Sequence, residues 1–260
     1  MLSIRDLTIS FSAGSGNEAV HGVNLEMADS EVVGLVGESG SGKTLTALAI
    51  AGLISRGLTK TTGEIIFRGT DLLKCSRSEL RKIQGKDIGM VFQEPMTSLN
   101  PLMRVGRQIE EPLRIHTDLT ALQMRERALR MMESVELSES AYMKYPHQLS
   151  GGQRQRAMIA AATISDPKLL IADEPTTALD SVVQGHILSL LRRINAERGV
   201  AILFISHDLS VVRKLCSRVA VMHEGAIVEE GATETIFETP RQEYTKRLIN
   251  AIPKRPRPEI

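Results

Sequence analysis

Gly37-Glu38-Ser39-Gly40-Ser41-Gly42-Lys43-Thr44 follows the apolar run Val32–Val36 and precedes a helix-forming stretch at 45–53. A short, wholly apolar run closed by glycine reads as a buried strand. The order is therefore strand, loop, helix, and the loop has the form G-x-x-x-x-G-K-[ST]. Each residue type has a physical use there. Glycines let the backbone curl so that successive N–H groups face inward, and Glu38, Ser39, Gly40 and Ser41 complete that concavity. The helix beginning near Lys43 adds its positive end. Lys43 supplies a mobile charge for β- and γ-phosphates, and Thr44 a hydroxyl for Mg2+. The loop reads as the phosphate cradle of an ATP-binding protein.

Outward from the loop, Leu2, Ile4, Leu7, Ile9 and Phe11 sit mostly at alternating positions and predict a strand. A Gly/Ser-rich turn at 13–17 leads to a second strand at 23–27. Further strands are expected at 64–67, closed by a turn at 69–71, and at 88–92. Ser76 with Glu79 forms a capping box for a short helix. Between 95 and 163 the strand pattern lapses, and Thr120 with Gln123 opens a helix carrying Leu122, Leu129, Met132 and Val135. This region reads as a helical insertion. Strand patterning returns at 169–172, 201–205 and 219–222. A helix at 182–197 lies between the first two, with Val183, Ile187, Leu191 and Ile194 on one face. Strands alternating with helices imply an α/β fold with a mostly parallel sheet. The basic, proline-rich stretch 254–258 is expected to be disordered.

Composition narrows the function classes. The chain has 260 residues and a formal net charge of +1, without the basic excess of a nucleic-acid binder, so no nucleic-acid partner is expected. Its two cysteines, Cys75 and Cys216, have no metal-ligand spacing, which fits a reducing compartment. The polar, alternating N-terminus is not a signal peptide, and no apolar run approaches a membrane span. A soluble protein that meets a membrane only through partners is the expectation.

A second group of residues points to hydrolysis. Leu169-Leu170-Ile171-Ala172-Asp173-Glu174 is an apolar strand ending in two acids. The carboxyl end of a parallel strand opens on the ligand crevice. Asp173 would face the Mg2+ that Thr44 also holds. Glu174, one residue on, could polarise a water for in-line attack on the γ-phosphate. His207 follows another apolar run and belongs to the same edge.

With these motifs in view, the chain resembles the ABC-type ATPases. Leu149-Ser150-Gly151-Gly152-Gln153 matches that family's signature motif. GESGSGKT, Gln93, IADEP, Ala178-Leu179-Asp180 and His207 match its other nucleotide-site motifs in order, over essentially the whole chain. The resemblance implies a P-loop, RecA-like core with an antiparallel β subdomain (1–93 and 165–231), an inserted α-helical subdomain (94–164) and a C-terminal tail (232–260). It implies a head-to-tail dimer that sandwiches ATP and Mg2+ between one subunit's phosphate loop and the other's Ser150, Gly151, Gly152 and Gln153. There a helix beginning near Gln153 would offer a second anion site. Gln93 resembles the glutamine that contacts Mg2+ and the attacking water and links core to helical subdomain. Asp180 resembles an aspartate at the dimer interface, and His207 the histidine that touches the γ-phosphate. Phe11 stands where the family places an aromatic against adenine, although it also fits its strand's apolar face.

Finer features resemble the ATPases of dipeptide, oligopeptide and nickel importers. These are residues 93–101 (QEPMTSLNP), Tyr145-Pro146-His147-Gln148, and Tyr244-Thr245-Lys246-Arg247-Leu248. Leu45-Thr46 is similar to the first of that group's two paired ATPases. The implied partners are a second ABC ATPase subunit (a heterodimer, or a homodimer when the chain is alone), two membrane permeases and, indirectly, an extracytoplasmic binding protein. The implied location is peripheral, on the cytoplasmic face of the inner membrane. Many of these ATPases continue into a cysteine-rich segment that resembles an iron–sulfur site. This sequence lacks those cysteines, so no cluster is expected. A nickel-complex importer and a non-transport ATPase of a phosphonate-degrading complex are the alternative readings.

Overall fold

Alternating apolar residues build the first sheet. β1 (Leu2–Phe11) pairs antiparallel with β2 (Glu18–Met27). Leu2, Ile4, Leu7 and Ile9 are buried, but the alternation breaks between Ile4 and Leu7, where Asp6 takes a φ of 48° and the register shifts. Phe11, in phase with the buried residues after that break, is nevertheless 45% exposed at the strand end. The computed structural model describes residues 1–11, 18–55, 57–177 and 179–251. The turn expected at 13–17, Ala178 and the tail at 254–258 lie outside the described residues.

The chain then enters the second sheet at β3 (Val32–Val36), turns through the glycine loop and forms α1 (Lys43–Ile50). It returns to the first sheet with β4 (Thr59–Phe67) and the short β5 (Thr70–Asp71), giving the order β2-β1-β4-β5. After α2 (Arg77–Ile83), β6 (Ile88–Val91) forms one edge of the second sheet. Four α-helices follow with no strand among the described residues: α3 (Pro95–Ser98), α4 (Val105–His116), α5 (Ala121–Ser134) and α6 (Gly151–Thr163), with short 3-10 turns at Glu139–Met143 and Pro146–Gln148 between the last two. β7 (Leu169–Asp173), α7 (Ser181–Arg198), β8 (Ala201–Ser206), α8 (Leu209–Leu215) and β9 (Arg218–His223) continue the alternation. β10 (Ala226–Ala232), α9 (Thr233–Glu238) and α10 (Glu243–Asn250) close the described chain. The second sheet has the order β10-β9-β3-β8-β7-β6, parallel throughout except for β10.

Period-two geometry sorts the parallel strands between two cores. Val36, Ala172, Phe204 and Val221 face a core shared with α4 to α8. Leu35, Ile171, Ile205 and Met222 face a core shared with the antiparallel sheet and α1. Both faces are covered, which is why these strands read as continuous apolar runs.

Local signals set the helix starts. The capping boxes of Ser76 with Glu79 and Thr120 with Gln123 are formed at α2 and α5. Ser150 with Gln153 forms another, so α6 begins at Gly151 rather than near Gln153. Gly151 and Gly152 are poor helix formers, but the Ser150 cap commits the chain upstream of them. At its other end α6 lies against β6: a Cβ on Gly89 would sit 2.1 Å from the Ala162 carbonyl oxygen. No helix among the described residues is long and apolar enough to cross a membrane.

Candidate active site

Four parallel strands deliver the singled-out residues to one edge. β3 runs into the glycine loop, β7 ends at Asp173 with Glu174 next, β8 ends one residue before His207, and β6 ends two residues before Gln93. The order β3-β8-β7-β6 sets the loop, His207, the carboxylate pair and Gln93 side by side along the carboxyl edge, where open α/β sheets bind ligands.

The loop is shaped by close backbone approach. Gly42, the N-cap of α1, has φ 101° and ψ −2°, a conformation that suits glycine. A Cβ on Gly37 would lie 2.1 Å from the Met222 carbonyl oxygen, so no side chain fits there. Gly37, Ser41 and Gly42 are buried while Glu38, Ser39 and Gly40 are exposed. Lys43 Nζ is folded into the loop, donating to the carbonyl oxygens of Gly37 (2.8 Å) and Glu38 (2.7 Å) and to Ser41 Oγ (3.3 Å). Burial pushes the ammonium below the usual lysine range, although Glu174, Asp173 and Glu38 partly offset this.

Asp173 is 2% exposed, and its Oδ1 has no hydrogen-bond partner among the described residues. Burial raises its carboxyl above the ordinary aspartate range, and a hydrogen bond with Thr44 works the other way. A buried, incompletely satisfied carboxylate beside a hydroxyl and a phosphate loop is a donor set that suits a hard dication such as Mg2+. Glu174 is more fully engaged. Its Oε2 accepts from Gln93 Nε2 (3.1 Å) and Thr177 Oγ1 (2.8 Å), and its Oε1 lies 3.0 Å from His207 Nδ1. Burial alone would raise the Glu174 carboxyl. Hydrogen bonds from His207 and Thr177, with the charges of His207 and Lys43, outweigh it and hold the group below the usual glutamate range. Glu174 has a φ of 46°, and its N–H donates to the Ile205 carbonyl, which fixes it against β8.

The remaining residues lie outside this cluster. Ser150 caps α6 through the N–H of Gln153 (3.3 Å), and Gln153 returns a bond to the Ser150 N–H (3.0 Å). Gly152 packs on α7, where a Cβ would meet Val183 Cγ1 at 2.7 Å. Asp180 is the N-cap of α7, accepting from Val182 (3.0 Å) and Val183 (2.9 Å). Phe11 is at the far end of β1 in the other sheet. Two residues with no assigned role join the site. Thr177 holds Glu174, and Tyr244 accepts the Glu38 N–H at 3.0 Å. Thr177 follows the acidic pair closely enough to be suspected from sequence. Tyr244 stands out in the sequence only within the stretch 244–248, and nothing there points to a partner 206 residues away.

Comparison with known proteins shows which family the chain resembles. Residues 20–177 match the family described as ABC transporter. The chain is 45% identical over 258 residues to the oligopeptide transport ATP-binding protein OppD of Bacillus subtilis, covering 97% of this chain and 72% of that protein. It is 48% identical over 258 residues to the peptidoglycan transport ATP-binding protein YejF of Agrobacterium fabrum, and spans about half of it (98% of this chain, 47% of that one). Among solved structures, the ATP-binding cassette MJ0796, a dimer in a post-hydrolysis state bound to ADP and Pi, superposes with a TM-score of 0.82. That match has 32% identity and covers 90% of this chain and 99% of the other.

Proposed function

Because this chain belongs to the ABC transporter family, we propose that it is the ATP-hydrolysing subunit of a bacterial importer of peptides. One observation carries the catalytic half of this reading. A single sheet edge holds a phosphate loop, a buried carboxylate at Asp173, and an ionised Glu174 hydrogen-bonded from Gln93, Thr177 and His207. The names of the relatives, oligopeptide and peptidoglycan transport proteins, support the cargo class.

In this reading the loop N–H groups and the start of α1 receive the β- and γ-phosphates. Lys43 exchanges its three loop acceptors for phosphate oxygens. Thr44, Asp173 and Gln93 would hold Mg2+, which when bound neutralises phosphate charge. Glu174, kept ionised by its neighbours, takes a proton from the attacking water. His207, hydrogen-bonded to the same carboxylate, lies where it can also reach the γ-phosphate. Ser150, Gly151, Gly152 and Gln153 present the start of α6 to a partner subunit's nucleotide, and Asp180 lies at that interface. Phe11 meets the adenine ring, and its exposure leaves the face free to do so.

The core with its β subdomain spans 1–93 and 165–231, and the helical subdomain 94–164. Between them a cavity of about 310 Å³ is lined by Leu53, Gly89, Phe92, Leu99, Pro112 and Met158 among others. This mostly apolar groove lies beside Gln93 and suits a short helix from a membrane permease. Two permeases and a second ATPase subunit would place the chain on the cytoplasmic face of the membrane. Affinity purification of the tagged chain from gently solubilised membranes tests the reading. Two permeases and a second ATPase should co-purify, and the complex should hydrolyse ATP. A chain that turns over ATP with no membrane partner would refute the transport assignment.

A further inference from the structure

We propose that Tyr244 is a positioning residue for the phosphate loop, through which the C-terminal helix α10 sets the affinity for nucleotide. The inference rests on the reading of residues 37–44 as the phosphate site. Its geometry concerns one peptide unit. The Gly37 carbonyl accepts from Lys43 Nζ at 2.8 Å, and the N–H of the same unit, that of Glu38, donates to the Tyr244 hydroxyl at 3.0 Å. In a trans peptide these two groups point in opposite directions, so Lys43 and Tyr244 grip the unit from its two edges. This is the first peptide of the loop, next to Gly37, whose contact with the Met222 carbonyl admits no side chain. Rotation of that plane would carry the Gly37 carbonyl away from Lys43 and unsettle the ammonium.

Tyr244 is itself held firmly. It is 6% exposed, and its ring stacks on His223, the last residue of β9, with centroids 3.7 Å apart and planes 6° from parallel. Burial raises its phenol above the ordinary tyrosine range, so the hydroxyl keeps its proton. The start of α10 is seated by Glu229 of β10, whose oxygens accept from the N–H groups of Arg241 (2.8 Å) and Gln242 (3.1 Å). A line of contacts thus runs from β10 through Glu229 to α10, Tyr244 and the Gly37–Glu38 peptide. A loop held in its binding shape loses less entropy when phosphate arrives.

Tyr244→Phe in the full chain keeps the ring stack and removes only the hydroxyl. One hydrogen bond predicts that KM for MgATP and Kd for ADP rise about 3–10-fold, with kcat within about twofold of wild type. The melting temperature should stay close to wild type. Glu229→Ala should raise KM in the same direction. The double variant should exceed the larger single effect little, because both act on one contact. Unchanged KM and ADP affinity in Tyr244→Phe overturns the proposal. So does a lowered melting temperature with KM unmoved, which would make Tyr244 a packing residue. A wild-type chain that binds no nucleotide would instead refute the phosphate-site reading, and the proposal with it.

Discussion

Replacing Glu174 with glutamine separates the charge of this side chain from its hydrogen-bonding shape. The carboxylate has three neighbours, with Gln93 Nε2 and Thr177 Oγ1 at one oxygen and His207 Nδ1 at the other. Glutamine in the same rotamer keeps its carbonyl oxygen under Gln93 and Thr177. Its amide then faces His207, whose ring nitrogen accepts in one tautomer. The cluster survives, and Lys43 and the loop are untouched. What disappears is a proton acceptor. A positioned general base contributes roughly 10²–10⁴ in rate, or about 3–5 kcal/mol of barrier. Single-turnover hydrolysis, with enzyme in excess over labelled ATP, should slow by that factor. Affinity for a fluorescent ATP analogue, titrated in parallel, should stay within about threefold, a fraction of a typical hydrogen bond. Turnover within about tenfold of wild type would place the rate loss below the range of general-base catalysis and sink the assignment. A matching loss of affinity would show that the carboxylate shapes the binding site instead.

Other substitutions probe the surroundings of the site. Asp173→Asn should abolish hydrolysis yet raise the melting temperature in chelator at pH 7, by about 2–4 °C per kcal/mol of relieved desolvation. A raised folded-state pKa for an acid means that its ionised form costs stability above the unfolded value, so a neutral isostere restores it. Arg218→Gln removes the partner that holds Glu31 below the usual glutamate range through paired contacts at 2.8 and 3.0 Å. It should cost about 1–3 kcal/mol in urea unfolding at pH 7. Because a depressed carboxylate stabilises only above its unfolded pKa, that deficit should shrink as the pH falls from neutral through the folded pKa. A deficit that stays constant with pH would assign the loss to packing and to the bond Arg218 donates to the Glu26 carbonyl. Gly89→Ala would force a Cβ to 2.1 Å from the Ala162 carbonyl, a backbone-to-backbone clash, and should cost about 2–4 kcal/mol by thermal unfolding.

Much of this arrangement could be read from the chain because its signals are local. The loop between Val36 and Lys43, the capping pairs Ser76–Glu79 and Thr120–Gln123, and the apolar runs at Val32–Val36 and 169–172 each fit within a few residues. Where competing local preferences met, the reading slipped. The helix expected to begin near Gln153 begins at Gly151, because the Ser150 cap commits the chain two residues earlier. Asp180, singled out for an interface, also caps α7. β10 lacks a clean alternation because it is the half-buried edge of its sheet. The grip of Tyr244 on Glu38 depends on the whole fold, and pairwise chemistry gives no hint of it. Of the three groups gathered on Glu174, Thr177 is a local neighbour three residues on, whereas Gln93 and His207 come from other connections and only the strand order brings them to the carboxylate.

The contact between Gly89 and the Ala162 carbonyl makes α6 a lever. The helix touches the sheet near its C-terminal end and carries Ser150 beyond its N-terminal end. At 1.5 Å per residue the arm is about 18 Å long, so a rotation of about 5° at the fulcrum moves Ser150 by about 1.6 Å. That displacement is about half the length of a hydrogen bond. The strand bearing the fulcrum ends two residues before Gln93. A small tilt at this contact would therefore be enlarged at Ser150, the residue proposed above to meet a partner subunit's nucleotide.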